Sequence, residues 1–172
     1  MTLACGACFL PPLPEHKPPP PPVVLDLHGI KLIRVQATDI PASGKLDAPE
    51  LANEIAVQIT SRGWESGVKG FTTAQASNED GALRVAVLEK SATPGPKASN
   101  GKVETWEFRI KISAVLTDKN GAVVWRESSG DYHFSHLFPQ QQEADLWKQH
   151  AVQNWLNFAV SNRLVFRMMN GN

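Results

Sequence analysis

Three groups of residues have the types and spacing to do chemistry. His133-Phe-Ser-His136, with Asp131 two residues before it, offers two imidazoles and a carboxylate of the kind that hold a divalent metal. On a strand, positions 133 and 136 point to opposite faces, so chelation there needs a bend, and His150 joins only through the tertiary fold. Exposed or hydrogen-bonding histidines near a strand end are the plainer expectation, and no metal or other cofactor is expected. Cys5-Gly-Ala-Cys8 is the second group. A thiol redox motif sits between a strand and a helix whose N-terminus lowers the thiol pKa. Here prolines follow almost at once and no strand precedes. Small residues before a cysteine are also what a lipoprotein signal peptidase accepts. That makes Cys8 the expected lipid attachment site, with Cys5, after Leu3-Ala4, in a poorer register. A basic start and an apolar segment should precede such a cysteine, so the expectation extends to coding sequence upstream of Met1. The third group is cationic: Arg84, Lys90, Arg109, Lys111 and Arg126 recur in what reads as a sheet. An ordinary exposed sheet face, balanced by Glu89, Glu107 and Glu127, is one account of them. The functional account is a surface for an anionic amphiphile or a partner, since Arg and Lys meet phosphate well.

Bulk composition narrows the classes. The 172 residues carry 17 basic and 17 acidic side chains, which argues against a nucleic-acid binder working through a basic field. The length suits one domain with a sizeable core. No apolar run approaches the 18 or more residues of a membrane-spanning helix. Both cysteines fall in the first eight residues, so the fold uses neither a disulfide staple nor a cysteine metal cage. There is no Gly-x-Ser-x-Gly elbow, no phosphate-binding loop and no His-Glu-x-x-His helix. No enzymatic activity is expected.

The elements that must position these groups follow from periodicity. Residues 1–24 form a lipobox-like start and a tether, with eight prolines between Pro11 and Pro22 that should be extended polyproline. Residues 25–168 form the single folded domain. From Val103 to His136, Trp106, Phe108, Ile110, Ile112, Ala114 and Leu116 share one parity, while Glu107, Arg109, Lys111 and Ser113 share the other. Period 2 of this kind requires an extended chain. Asp118-Lys-Asn-Gly121 supplies a hairpin turn, and Ala122 onward resumes as a strand. Strands are also expected from Ile30 to Ala37 and from Leu83 to Lys90, with Trp64–Gly81 and Ser91–Gly101 as loops. A helix should start at Asp47 as N-cap, with Glu50 completing a capping box and Leu46 and Leu51 a hydrophobic staple, and end at Arg62-Gly63. A second helix is expected from Glu143 to about Phe166, with Arg163 and Arg167 complementing its C-terminal dipole. The sum is an α+β two-layer sandwich: a four-stranded antiparallel sheet, two helices on one face, order β-α-β-β-β-α.

A strand leading to a helix that ends in Arg-Gly, then Leu83-Arg-Val-Ala-Val, then Glu104-Thr-Trp-Glu-Phe-Arg-Ile-Lys-Ile-Ser-Ala-Val-Leu-Thr-Asp-Lys-Asn-Gly-Ala-Val-Val-Trp-Arg and a final helix from Glu143 together resemble LptE, the lipopolysaccharide-assembly lipoprotein family. The resemblance covers about residues 30–166 and rests on element order and the hairpin pattern. It implies a protein lipid-anchored at the periplasmic face of the outer membrane. Such a protein plugs a β-barrel translocon of the LptD kind and contacts lipopolysaccharide. The Pro-rich stretch after the cysteines fits; its length departs from the family's usual form. Two other roles are compatible with the chain. One is a periplasmic lipoprotein that binds and activates a peptidoglycan synthase. The other is an enzyme or metal protein built on His133, His136 and His150.

Overall fold

The computed structural model describes residues 27, 29–39, 48–72, 79–138 and 142–170. Cys5, Cys8, the proline tract, the expected boundary at residue 24, and the Asp47 cap with its Leu46 staple lie outside them. Eight elements follow in order: β1 Leu32–Asp39, α1 Ala48–Arg62, β2 Lys69–Phe71, β3 Gly81–Pro94, β4 Thr105–Asp118, β5 Val123–Leu137, α2 Glu143–Leu146 and α3 His150–Asn170.

The sheet has five strands in the order β2-β1-β3-β4-β5. It is mixed, which corrects the expected four antiparallel strands. β1 runs parallel to both β2 and β3, while β3, β4 and β5 form an antiparallel meander. The cause is α1. A helix between two strands returns the chain to the same end of the sheet, so the strands it joins lie parallel. β2 falls within the polar stretch Trp64–Gly81, where Lys-Gly-Phe is too short to show a period. It exists through tertiary bonds: Lys69 N donates to the Lys31 carbonyl at 2.7 Å, and Gly70 N to Thr60 Oγ1 at 3.0 Å. Gly70 also sets how closely α1 approaches, since a Cβ there would lie 2.7 Å from Ala56 Cα and O. Gly70→Ala should therefore lift α1 from the sheet edge. Equilibrium unfolding is expected to show a loss of about 1–3 kcal/mol, the usual range for forced overpacking.

One face of the sheet carries the core. Trp106, Phe108, Ile110, Ile112, Ala114 and Leu116 of β4 are all buried, as their parity predicts. Leu83, Val85 and Val87 pair with Leu116, Ala114 and Ile112 across β3, and Tyr132 pairs with Ile110 across β5. From above, α1 contributes Leu51, Ile55 and Ile59, and α3 contributes Leu156, Val160 and Leu164. Each such side chain, fully buried, contributes about 1.5–3 kcal/mol.

Two helix details differ from expectation. Gly63 ends α1 but has no positive φ. Glycine is required there because a Cβ would come 2.7 Å from Val68 Cβ, where the chain folds back. The single helix expected from Glu143 is broken after Leu146. The break turns Trp147 into the core, edge-on to Phe108 at 5.8 Å, and Gln153 Nε2 caps the Trp147 carbonyl at 2.7 Å. That capping and the aromatic contact offset the helical bonds lost.

The hairpin turn forms as its residues dictate. Gly121 takes φ 83°, and Asp118 Oδ1 accepts from Asn120 N at 2.9 Å and Ala122 N at 2.8 Å. These backbone donors, Ala122 first, hold the Asp118 carboxyl below its ordinary pKa.

Candidate partner-binding surface

The face of the sheet opposite the helices carries the other parity of each strand, and no described element lies over it. Four of the five cations singled out from sequence project there. Arg109 donates to Asp131 on the neighbouring strand through Nε at 3.0 Å and Nη2 at 2.6 Å. Lys111 pairs with Glu89 directly opposite it on β3. Those two are balanced cross-strand pairs. Arg84 and Arg126 differ. Both stand opposite Val115, one from β3 and one from β5, so they occupy a single row across three strands. At strand spacings of about 4.8 Å their Cα atoms lie roughly 10 Å apart. Both are exposed, and neither has an ion-pair partner among the described residues. This row can take an anionic group without first breaking an internal pair.

Lys90 corrects the expectation. A bulge between Val87 and Glu89 inserts Leu88 into β3, so the side chains beyond it change faces. Lys90 consequently pairs with Ile110 on the helix side, away from Arg84. Glu127 departs in the same way. An irregularity between Ile112 and Ala114 lets Ser128 and Ser129 bulge from β5, and Glu127 then points toward α3. There its Oε2 accepts from Tyr132 Oη at 2.7 Å, and Oε1 accepts from Arg167 Nη1. The Arg167 guanidinium also lies 5.1 Å from the centre of the Tyr132 ring. Burial, followed by the Glu127 carboxylate, pushes the Tyr132 hydroxyl pKa well up. So Arg167 is a strand-to-helix tie as well as a dipole complement. A cue was present in Ser128-Ser-Gly130, three small residues inside a strand. Arg34, on β1 next to β3, has no cue in the sequence; its Nε lies 2.9 Å from Glu79 Oε2, an ion pair without an aligned hydrogen bond.

A cleft of about 720 Å³ adjoins the Arg84 row where β2 ends. Gln36, Thr38, Asn53, Thr72, Arg84 and Ser113 supply its polar lining. Thr72 Oγ1 donates to Asn53 Oδ1 at 2.8 Å, which fixes the β2 end to α1.

The histidines are not brought together. His133 is 65% exposed, with Nε2 3.3 Å from Asp131 Oδ1 on the outer face. His136 lies on the inner side, stacked on Trp155 at 4.4 Å, and His150 is exposed at the start of α3. Among the described residues no three metal-ligating side chains converge. Among them, too, no helix is long and apolar enough to cross a membrane.

The ion pairs on the outer face give it an acid-sensitive character. Asp131 is held at a pKa of about 2, chiefly by the Arg109 hydrogen bonds. The folded pKa lies below the ordinary value of about 3.9. Its stabilising contribution is therefore complete above pH ~4 and is lost as pH falls through the folded pKa. Carboxyl NMR titration should find this midpoint, and Arg109→Gln should raise it toward the ordinary value. An unchanged midpoint in the variant would assign the shift to another cause.

No family model matches the chain, and no curated protein matches it. Among solved structures it is similar to a minor lipoprotein from Acinetobacter baumannii, with 15% identity over 83% of this chain and 94% of that one, at a TM-score of 0.46. It is similar to rare lipoprotein B from Shewanella oneidensis, with 12% identity over 80% and 93%, at 0.43. A PelC dodecamer from Paraburkholderia phytofirmans gives 15% identity over 82% and 89%, at 0.48. Overlaps at this level assign no role to this chain.

Proposed function

We propose that this protein is a non-enzymatic lipoprotein that recognises a partner through the uncovered face of its sheet. On this proposal it is anchored through Cys8 or Cys5 at the periplasmic face of the outer membrane. Its partner is a β-barrel of the LptD kind, and it assists lipopolysaccharide assembly. The observation that carries the recognition step is the row Arg84, Val115, Arg126: two exposed guanidinium groups, without an ion-pair partner among the described residues, around an apolar centre on the sheet face. Guanidinium groups bind phosphate bidentately and keep their charge at any relevant pH. Support for anchoring is confined to the sequence: a cysteine after small residues, followed by a proline-rich stretch. At about 3.1 Å per residue in polyproline form, residues 8–22 would span on the order of 40 Å, enough for a domain to reach a partner while tethered.

Affinity purification of the chain from detergent-extracted native membranes tests this. It should recover a large outer-membrane barrel, and Arg84→Glu with Arg126→Glu should lower that recovery at least tenfold without altering the melting temperature. Recovery of a peptidoglycan synthase and no barrel would transfer the assignment to the synthase-activator role. A protein found without lipid and without either partner would end the proposal.

A further inference from the structure

The helix layer has an exposed surface of its own, which meets the sheet at Phe134 of β5. Most large apolar side chains of α1 and α3 point inward, but three aromatics do not. Trp64, just past the end of α1, is 78% exposed, and Phe158 and Phe166 on α3 are 50% and 49% exposed. Phe158 and Phe166 share one neighbourhood, and Trp64 stands two residues after Arg62, which borders it. Arg62 lies 5.6 Å from the centre of the Phe166 ring and donates to Asn162 Oδ1 at 2.8 Å. Phe158, Asn162, Arg163 and Phe166 line an open cup of about 390 Å³ with Phe134 and Ala159.

The charge of this neighbourhood is one-sided. The 21 residues of α3 include Arg163 and Arg167 but no Asp or Glu. Glu127, the acid that reaches α3 from the sheet, is taken up by Arg167. Arg62 and Arg163 flank the exposed rings, and Glu65, exposed beside Trp64, is the acid at the margin. Exposed aromatic rings flanked by arginines are what an interfacial surface needs. Rings settle at the headgroup boundary, and guanidinium groups meet lipid phosphates while their stems cover apolar surface.

We infer that the C-terminal halves of α1 and α3, with Trp64, form a face that seats on an anionic phospholipid bilayer. The Arg84 row is on the other parity of the sheet from the side chains that meet the helices, so a seated helix layer does not cover it and a partner can still bind there. The inference does not depend on which partner that is.

The test uses the full chain with Cys5→Ser and Cys8→Ser, so that no attached lipid contributes. Vesicles of phosphatidylethanolamine with phosphatidylglycerol are compared with vesicles of phosphatidylcholine by co-sedimentation. Brominated lipid should quench the exposed Trp64, because Trp106, Trp125 and Trp147 are buried and only half-buried Trp155 lies near. Binding is expected to the anionic vesicles and to weaken with salt. Phe158→Ser with Phe166→Ser should lower partitioning at least tenfold. Arg163→Gln should lower it about fivefold, the usual effect of one basic residue at an anionic surface. Circular dichroism should show all variants folded, since the replaced side chains are exposed. Arg84→Glu with Arg126→Glu should leave vesicle binding intact, which separates this face from the sheet face. Equal partitioning to both vesicle types, or partitioning unmoved by loss of the two phenylalanines, would overturn the inference. So would variants that release an outer-membrane barrel while still binding lipid, which would make this a protein-binding surface.

Discussion

Phe108→Ala should destabilise the domain by about 3–5 kcal/mol, the range for removing a buried aromatic from a core. Phe108 is 1% exposed and sits at the centre of the seam between sheet and helices. Its ring meets Phe138 at 6.0 Å, Trp147 at 5.8 Å and Trp155 at 5.7 Å, two of them nearly edge-on. Those partners come from the end of β5, the break between α2 and α3, and α3 itself, so one truncation empties a junction of three segments. For a domain of this size the melting temperature should fall by roughly 10 °C. Glu107→Ala, one residue away on the other parity, should change stability by less than about 0.5 kcal/mol. Comparable losses at both positions would mean that the two faces of β4 are not distinguished by packing.

The second large effect is at Glu127. Its carboxylate accepts from Tyr132 Oη and Arg167, so Glu127→Ala strands a buried hydroxyl and a half-buried guanidinium together. Removing one partner of a buried ion pair costs about 3–5 kcal/mol. Arg167 is 35% exposed, however, and water takes up part of that loss. About 2–3 kcal/mol is the expected result by denaturant unfolding. Tyr132→Phe removes only the hydroxyl, whose bond to a charged acceptor contributes about 1.5–3 kcal/mol, and should cost less than Glu127→Ala. A double-mutant cycle between Tyr132 and Arg167 should give a coupling above 0.5 kcal/mol, because both act through one carboxylate. Gly130 belongs to the same device: a Cβ at that position would overlap the Glu127 side chain, so Gly130→Ala should weaken the tie with all three partners still present. Zero coupling would reduce the cluster to unconnected surface pairs.

Much of this architecture is readable from periodicity, and the exceptions have definite causes. The alternation from Trp106 to Leu116 identifies the buried face of β4, and Leu51, Ile55 and Ile59 identify the inner stripe of α1. Turn chemistry locates Asp118–Gly121. What periodicity cannot supply is pairing at a distance. Lys69–Phe71 is a strand because Lys31 and Thr60 take its backbone, and nothing within the tripeptide announces that. Parity also fails wherever a bulge intervenes. Counting in twos puts Arg84 and Lys90 on one face, yet the extra residue at Leu88 sends Lys90 to the other. The consecutive apolar pair Val87-Leu88 was a faint sign of it. Among the candidate residues, Arg109 and Lys111 lie where the pattern put them but are engaged by Asp131 and Glu89. That left Arg84 and Arg126, whose common neighbour Val115 becomes visible only once the register is known.

On the function proposed above, a partner sits on the sheet face around Val115. A photo-activatable amino acid at Val115, illuminated in intact cells, reads out that contact, with the same group at exposed Lys119 on the hairpin turn as reference. A strong adduct from Val115 to an outer-membrane barrel, much weaker from Lys119 and lost with Arg84→Glu and Arg126→Glu, is the predicted outcome. No adduct from Val115 in lipid-anchored, folded protein would contradict it.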